Sequence, residues 1–483
     1  MLGWRKPIVA GLFVSLAACG GSEPPADEST GTSSSETSSE TSETGPDETT
    51  TGVDPDACPI PDPALAEALA EAAGLDAGAA VTEAALAGLT ELIALDQGIT
   101  DLSGIDCALE LESVILDANA ITDLEPLTQL PALRSIRIDD NAIDSLAPIA
   151  GLTALELLSV SNNALPELEA VAQLTSLDQL FAGGNPISDA SPLTGHPTLR
   201  VLSLPTTQIT STAAFEAMPE LEVLNLADNP ISELAGLSEV PALKELYLDG
   251  APISDLSDLP TVPSLEELRL NRTALSDLST LAAQPELRVL MVGEAALTAF
   301  DFALPFPEIY QITAPTNAIT SLASLDAAMI PGLTQLDLGF NPLDSLAGVA
   351  DHVELRTLYA RDAGLDDIAA LSGSTSLLEL DLCDNAIDDI ASLATLPTLV
   401  RLFLDNNLVS DLGPLVDLAT ELSELGLANN LVADDQDLLS LPFEECATVS
   451  IAGNPLPSVG QTAGDLCSQL VTVEDFCTPV DCQ

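Results

Sequence analysis

The chain is 483 residues long and carries 76 acidic against 12 basic side chains, a formal net charge of −64 at pH 7. A surface of that sign repels phosphate backbones and anionic headgroups, which excludes nucleic-acid binding and electrostatic attachment to a membrane. With two histidines and no G-x-S-x-G, H-E-x-x-H, C-x-x-C or Walker-type glycine loop, the sequence assigns no catalytic residue, metal ligand or cofactor; a non-enzymatic protein is expected.

The first element is an address. Arg5 and Lys6 precede an apolar run from Pro7 to Ala18, too short to span a bilayer and laid out as a secretory signal over residues 1–18. Leu16-Ala17-Ala18-Cys19 resembles the bacterial lipobox, which implies that Cys19 becomes the first mature residue and carries lipid. Gly20 after it resembles lipoproteins sent to the outer membrane, so anchoring in a bacterial cell envelope is expected. Residues 19–57 are rich in Ser, Thr and acid, with almost no large aliphatic side chain. They cannot bury enough apolar area to offset ordering entropy, and they read as a disordered tether with a reach of about 35 Å.

Residues 58–88 read as a helical cap of two short helices. Leu65, Leu69 and Ala72 form one apolar stripe, and Val81, Ala85 and Leu89 the next.

From residue 89 to 456 the chain repeats itself. A pattern L-x-x-L-x-L-x-x-N-x-L places its ninth position at Gln97, Asn119, Asn141, Asn163, Asn185, Thr207, Asn229, Ala251, Thr273, Ala295, Asn317, Asn341, Ala363, Asn385, Asn407, Asn430 and Asn454, and the first eleven are spaced at 22 residues without a slip. One unit of this size cannot bury its own aliphatics, whereas stacked units share them in a continuous core. An inward asparagine at the ninth position can satisfy backbone groups from coil to coil, whereas alanine cannot, so a weakened ladder is expected from about 207 to 295. Acids such as Asp123, Glu233 and Asp255, which open the return segment, read as caps of short turns on the convex side rather than as a calcium row.

The pattern resembles the leucine-rich-repeat family. The P-D-x-x-L-A-x-A-L opening at Pro61 and the V-T-x-x-x-L entry at Val81 resemble the internalin subclass. The resemblance implies an α/β solenoid: a horseshoe of about 17 repeats with a concave parallel β-sheet and a cap at each end.

Cysteines bracket that solenoid. With Cys19 set aside for lipid, Cys58 and Cys107 are expected to bridge the N-terminal cap. Two bridges, pairing open, are expected among Cys446, Cys467, Cys477 and Cys482 at the C-terminal cap, residues 457–483, with Cys383 left as the free thiol.

In each unit, positions 3, 5 and 7 point to the concave face. Position 2 reads Arg134, Glu156, Asp178, Arg200, Glu222, Lys244, Glu266 and Arg288, a lateral row of mostly opposite charges with a structural role. Arg137, Arg269, Arg361 and Arg401 instead face the concavity, together with Phe181, Tyr247, Tyr359 and Phe403 in the position-5 column. Tyrosine and arginine are enriched at binding hot spots, so these eight are the candidate partner-binding residues. The expected function is recognition of a protein or glycan on the concave face of a monomer. The alternatives are an acidic envelope protein without a dedicated ligand, or a docking regulator of another protein.

Overall fold

A computed structural model describes residues 57–76, 79–418, 421–443, 446–469 and 471–474. The signal, Cys19, all but the last residue of the tether, Cys477 and Cys482 lie outside the described residues.

Asp62 starts the cap. Its Oδ1 accepts the amides of Ala64 and Leu65 at 2.9 and 3.2 Å, and Pro63 fits the first helical position, where no N–H is needed. The helix Pro63–Ala72 buries Leu65, Ala68 and Leu69. Ala68, not the expected Ala72, completes the stripe, because Ala72 falls on the solvent side. A single turn, Glu83–Leu86, follows under the Thr82 cap. Cys58 and Cys107 are joined by a disulfide that ties the cap to the first repeat.

The repeats then form one parallel sheet of 18 strands. Strands of three residues run from Glu91–Ile93 to Thr448–Ser450, each paired in register with the next along the chain, and Thr472–Val473 adds a final strand beyond the seventeen repeats. The middle residue of each strand points into the core: Leu92, Ile136, Leu246 and Leu402 have no more than 1 % exposure. Short 3-10 turns return the chain on the convex side, several opened by an acid whose Oδ1 accepts the amide two residues on, as at Asp123, Asp189 and Asp389. That is the turn-capping geometry expected for short polar side chains.

The ninth-position ladder has the anticipated form. Asn163 donates Nδ2 to the carbonyls of Ile138 and Val160 at 2.9 and 3.1 Å, and its Oδ1 accepts the amide of Ile143 at 2.8 Å. The expected weak zone is narrower than 207–295. Asn229 reaches back to Thr207, taking its hydroxyl at 2.5 Å and its amide at 3.2 Å, so within that stretch the asparagine contacts are missing across Ala251, Thr273 and Ala295; Ala363 interrupts the ladder once more further along. Before each ladder position the chain turns through a left-handed residue, such as Asn162 at φ 54° and Asp384 at φ 58°. At Gly184, which shares that site, a Cβ would sit 2.1 Å from Oδ1 of the exposed Asn162, so a larger residue there would displace that side chain.

Cys383 is fully buried, and Cys383, Cys446 and Cys467 are all disulfide-bonded. This corrects the reading of Cys383 as the leftover thiol.

Candidate ligand surface on the concave sheet

In-register parallel strands turn sequence positions into columns. In Glu245–Tyr247, Leu246 is core, so Glu245 and Tyr247 must face the concavity; the same alternation places Glu267 and Arg269 beside them. The guanidinium of Arg269 lies 4.3 Å from the ring centroid of Tyr247. Its Nε pairs with Glu267 at 2.5 Å, and the Tyr247 hydroxyl donates to Glu245.

A second group spans Thr357–Tyr359, Glu379–Asp381 and Arg401–Phe403. The Tyr359 hydroxyl donates to Glu379 Oε1 at 2.9 Å, and Arg401 pairs with the other oxygen of the same carboxylate. Burial and then the neighbouring Glu379 charge hold the Tyr359 hydroxyl protonated far above the usual phenol range; burial and the Glu245 bond do the same for Tyr247. Both hydroxyls are therefore permanent donors with fixed acceptors.

The eight candidates do not form one site. Tyr247 and Arg269 meet, and Tyr359, Arg401 and Phe403 share the second group. Arg361 pairs with Asp384 at 2.9 Å on that group's flank. Arg137 stands apart, paired with Asp117 at 2.9 Å, and Phe181 is isolated between Ser159 and Ser203. Phe403 is only 9 % exposed and acts more as core than as contact surface. All four concave arginines are thus engaged by the protein's own carboxylates.

Three acids belong to the second group: Asp337 and Asp381 share the strand column of Tyr359 and Phe403, and Asp405 follows Phe403; Asp381 and Asp405 are buried and Asp337 is half-buried. Burial raises the pKa of Asp337 and Asp405, and pushes Asp381 up to about 6. Asp405 accepts the Ala428 amide at 2.7 Å and the Ser450 hydroxyl. Gly426 makes room for it, since a Cβ there would lie 1.9 Å from Asp405 Oδ2.

The rim at position 2 changes character along the sheet. Arg134–Glu156, Arg200–Asp178, Lys244–Glu222 and Arg288–Glu266 form ion pairs at 2.8, 2.5, 2.7 and 2.6 Å. The row then continues as Tyr310, Thr334, Arg356, Leu378 and Val400, with Tyr310, Leu378 and Val400 exposed at 40, 39 and 38 %. Sequence reasoning stopped at Arg288, although the end of the charge alternation was visible there.

A family model for leucine-rich repeats, spanning two copies, matches residues 219–261. The functional domain of InlJ from Listeria monocytogenes, described as including a cysteine ladder, is 24 % identical over 81 % of this chain and 80 % of that one, with a TM-score of 0.55. The ectodomain of the Arabidopsis thaliana receptor kinase GASSHO1/SCHENGEN3, solved in complex with CASPARIAN STRIP INTEGRITY FACTOR 2, is 21 % identical over 73 % of this chain and 48 % of that one, at 0.52. A Leptospira interrogans leucine-rich-repeat protein is 17 % identical over 81 % of this chain and 97 % of that one, at 0.50. No curated protein matches the sequence significantly. Repeat pattern, helical cap and concave sheet together make this chain a leucine-rich-repeat solenoid of internalin-like fold.

Proposed function

We propose that the protein is a recognition module of the bacterial cell envelope, exported, anchored through lipid on Cys19, and binding a protein or glycan partner on its concave sheet. The observation that carries this reading is the pre-organised pairing of rings with guanidinium groups on that face, Tyr247 with Arg269 and Tyr359 with Arg401 through Glu379. Rings held in one orientation lose little entropy on binding. A partner would meet them already in place.

Changing Tyr359, Arg361, Arg401 and Phe403 together to alanine is expected to abolish cross-linking of a defined envelope partner to the protein, while the melting profile of the other repeats persists. Cross-linking equal to wild type would refute the site. For the anchor, Cys19→Ser should move the protein from the membrane fraction to the soluble one; unchanged partitioning would refute lipidation.

The second reading, an acidic envelope protein without a dedicated ligand, draws support from the net charge of −64 and from the internal pairing of every concave arginine. It foresees no loss of capture in the quadruple variant.

A further inference from the structure

Nine of the ten basic residues that follow the signal segment pair with a carboxylate of their own chain. Arg356 is the exception among the described residues. It is exposed at position 2, and its lateral neighbours are Thr334 and Leu378, neither of which can neutralise it. A cation without a counter-charge is conspicuous in a protein with 76 acids.

Its surroundings are equally unlike the rest of the rim. From Glu112 to Arg288, nine consecutive coils place a charged residue at position 2. From Tyr310 to Val400 the same column is held together by amide-to-carbonyl bonds of 2.8 Å, Thr334 to Tyr310, Arg356 to Thr334, Leu378 to Arg356 and Val400 to Leu378, but presents Tyr, Leu and Val to solvent. Scattered exposed apolar side chains are ordinary; an apolar column that replaces charges and surrounds one unmatched cation is not. Five coils at about 4.8 Å spacing make a strip of about 20 Å, the length of roughly six residues of extended chain.

We propose that this rim, Tyr310–Thr334–Arg356–Leu378–Val400, is the primary docking strip of the solenoid, and that it accepts an extended protein segment combining aliphatic side chains with one carboxylate. The inference rests on the recognition reading above and adds the location and chemistry of the partner. Charge complementarity selects the carboxylate: Glu379, Glu267 and Asp384 already occupy Arg401, Arg269 and Arg361, so Arg356 is the cation left open to a partner. Leu378 and Val400 offer sugar hydroxyls no hydrogen bond, which favours a peptide over a glycan.

The test is selection of a random heptapeptide display library on the purified protein, on Arg356→Glu and on the pair Tyr247→Ala with Arg269→Ala. Wild type is expected to enrich peptides with Asp or Glu within two residues of Leu, Ile or Val. Those peptides should bind Arg356→Glu at least tenfold more weakly, and Arg356→Glu should select Lys or Arg in place of the acid. Leu378→Asp, at an equally exposed site, should weaken the same peptides and guards against a folding artefact. Enriched peptides without acid preference, or binding both proteins equally, overturn the docking strip. If such peptides then lose binding to the Tyr247, Arg269 variant, recognition by the concave sheet stands without the strip; if no variant affects them, both fail. No enrichment above a blank surface, or neutral-glycan binding lost in Arg356→Glu, also overturns the proposal.

Discussion

The amide of Ile253 donates to the carbonyl of Ala251, two residues earlier in its own coil, at 2.8 Å. In complete coils the same amide position reaches the asparagine of the next coil, as Ile143 reaches Asn163 and Ile387 reaches Asn407. Ile231, which also lacks an asparagine in the following coil, makes the same tight turn back to Asn229 at 2.8 Å, whereas Leu343 divides its amide between Asn341 at 2.9 Å and the Ala363 carbonyl of the next coil at 3.0 Å. A three-residue turn bond is a poor substitute for a well-aligned one. Hydrogen exchange at Ile231 and Ile253 should therefore be about tenfold faster than at Ile143 and Ile387, a difference of about 1.4 kcal/mol. Ala251→Asn should restore slow exchange at Ile231. Equal protection at these four amides would refute the ladder account.

Tyr247 and Arg269 touch across neighbouring strands, and Glu245 and Glu267 complete a closed set of contacts. A double-mutant cycle with Tyr247→Leu and Arg269→Gln should give a coupling of about 0.5–1 kcal/mol in thermal stability, the range for a partly exposed cation–π pair. A coupling of zero would refute a stabilising contribution of the stack to the folded protein.

Much of this architecture was legible because a 22-residue period leaves few ways to stack, and because strand alternation says which side chains share a face. The helical cap was legible from the stripe of Leu65 and Leu69 and from the P-D-x-x-L-A-x-A-L opening. What sequence could not supply was the partner of each charge. Arg269 turns along its own strand to Glu267, Arg137 reaches back a coil to Asp117, and Arg361 reaches forward to Asp384. All three directions are open to a long side chain, and only packing chooses among them. Phe403 reads as a binding ring, yet it is packed nearly out of solvent. The count that left Cys383 over assumed which cysteines were available to pair, and spacing carries no such information.

Asp381 is nearly buried, and burial raises its pKa to about 6 against an ordinary 3.8, Arg361 offsetting part of the effect and Asp337 and Asp405 adding to it. The folded state therefore binds a proton that the unfolded chain has released, so stability falls as pH rises from about 4 to about 6. The full difference corresponds to about 3 kcal/mol above pH 6. Asp381→Asn keeps an acceptor for the Cys383 amide, which Asp381 takes at 2.9 Å, and removes the buried charge. The variant should melt higher than wild type at pH 7.5, with the gap closing below pH 4. A gap independent of pH would remove ionisation as the cause.

Asp62 holds the N-terminal cap with both oxygens. Oδ1 caps the first helix, while Oδ2 accepts the Thr100 amide at 2.8 Å, the Thr100 hydroxyl at 3.0 Å and the Asp101 amide at 3.1 Å. Burial opposes its charge, but these donors together outweigh it and hold the pKa below 3.8. Its contribution is then complete at neutral pH and is lost as pH falls through that depressed value. Asp62→Ala should cost the cap about 2–4 kcal/mol, from one lost helix cap and several bonds to a charged acceptor. The Cys58–Cys107 bridge, closing 49 residues, limits the damage by about 4 kcal/mol of loop entropy. With Cys58 and Cys107 changed to serine as well, amides of Leu65 to Leu69 should exchange as in an unfolded chain, while those beyond Asn163 stay protected, since each repeat leans chiefly on its neighbours. Loss of protection throughout the solenoid would show instead that the cap nucleates the whole structure.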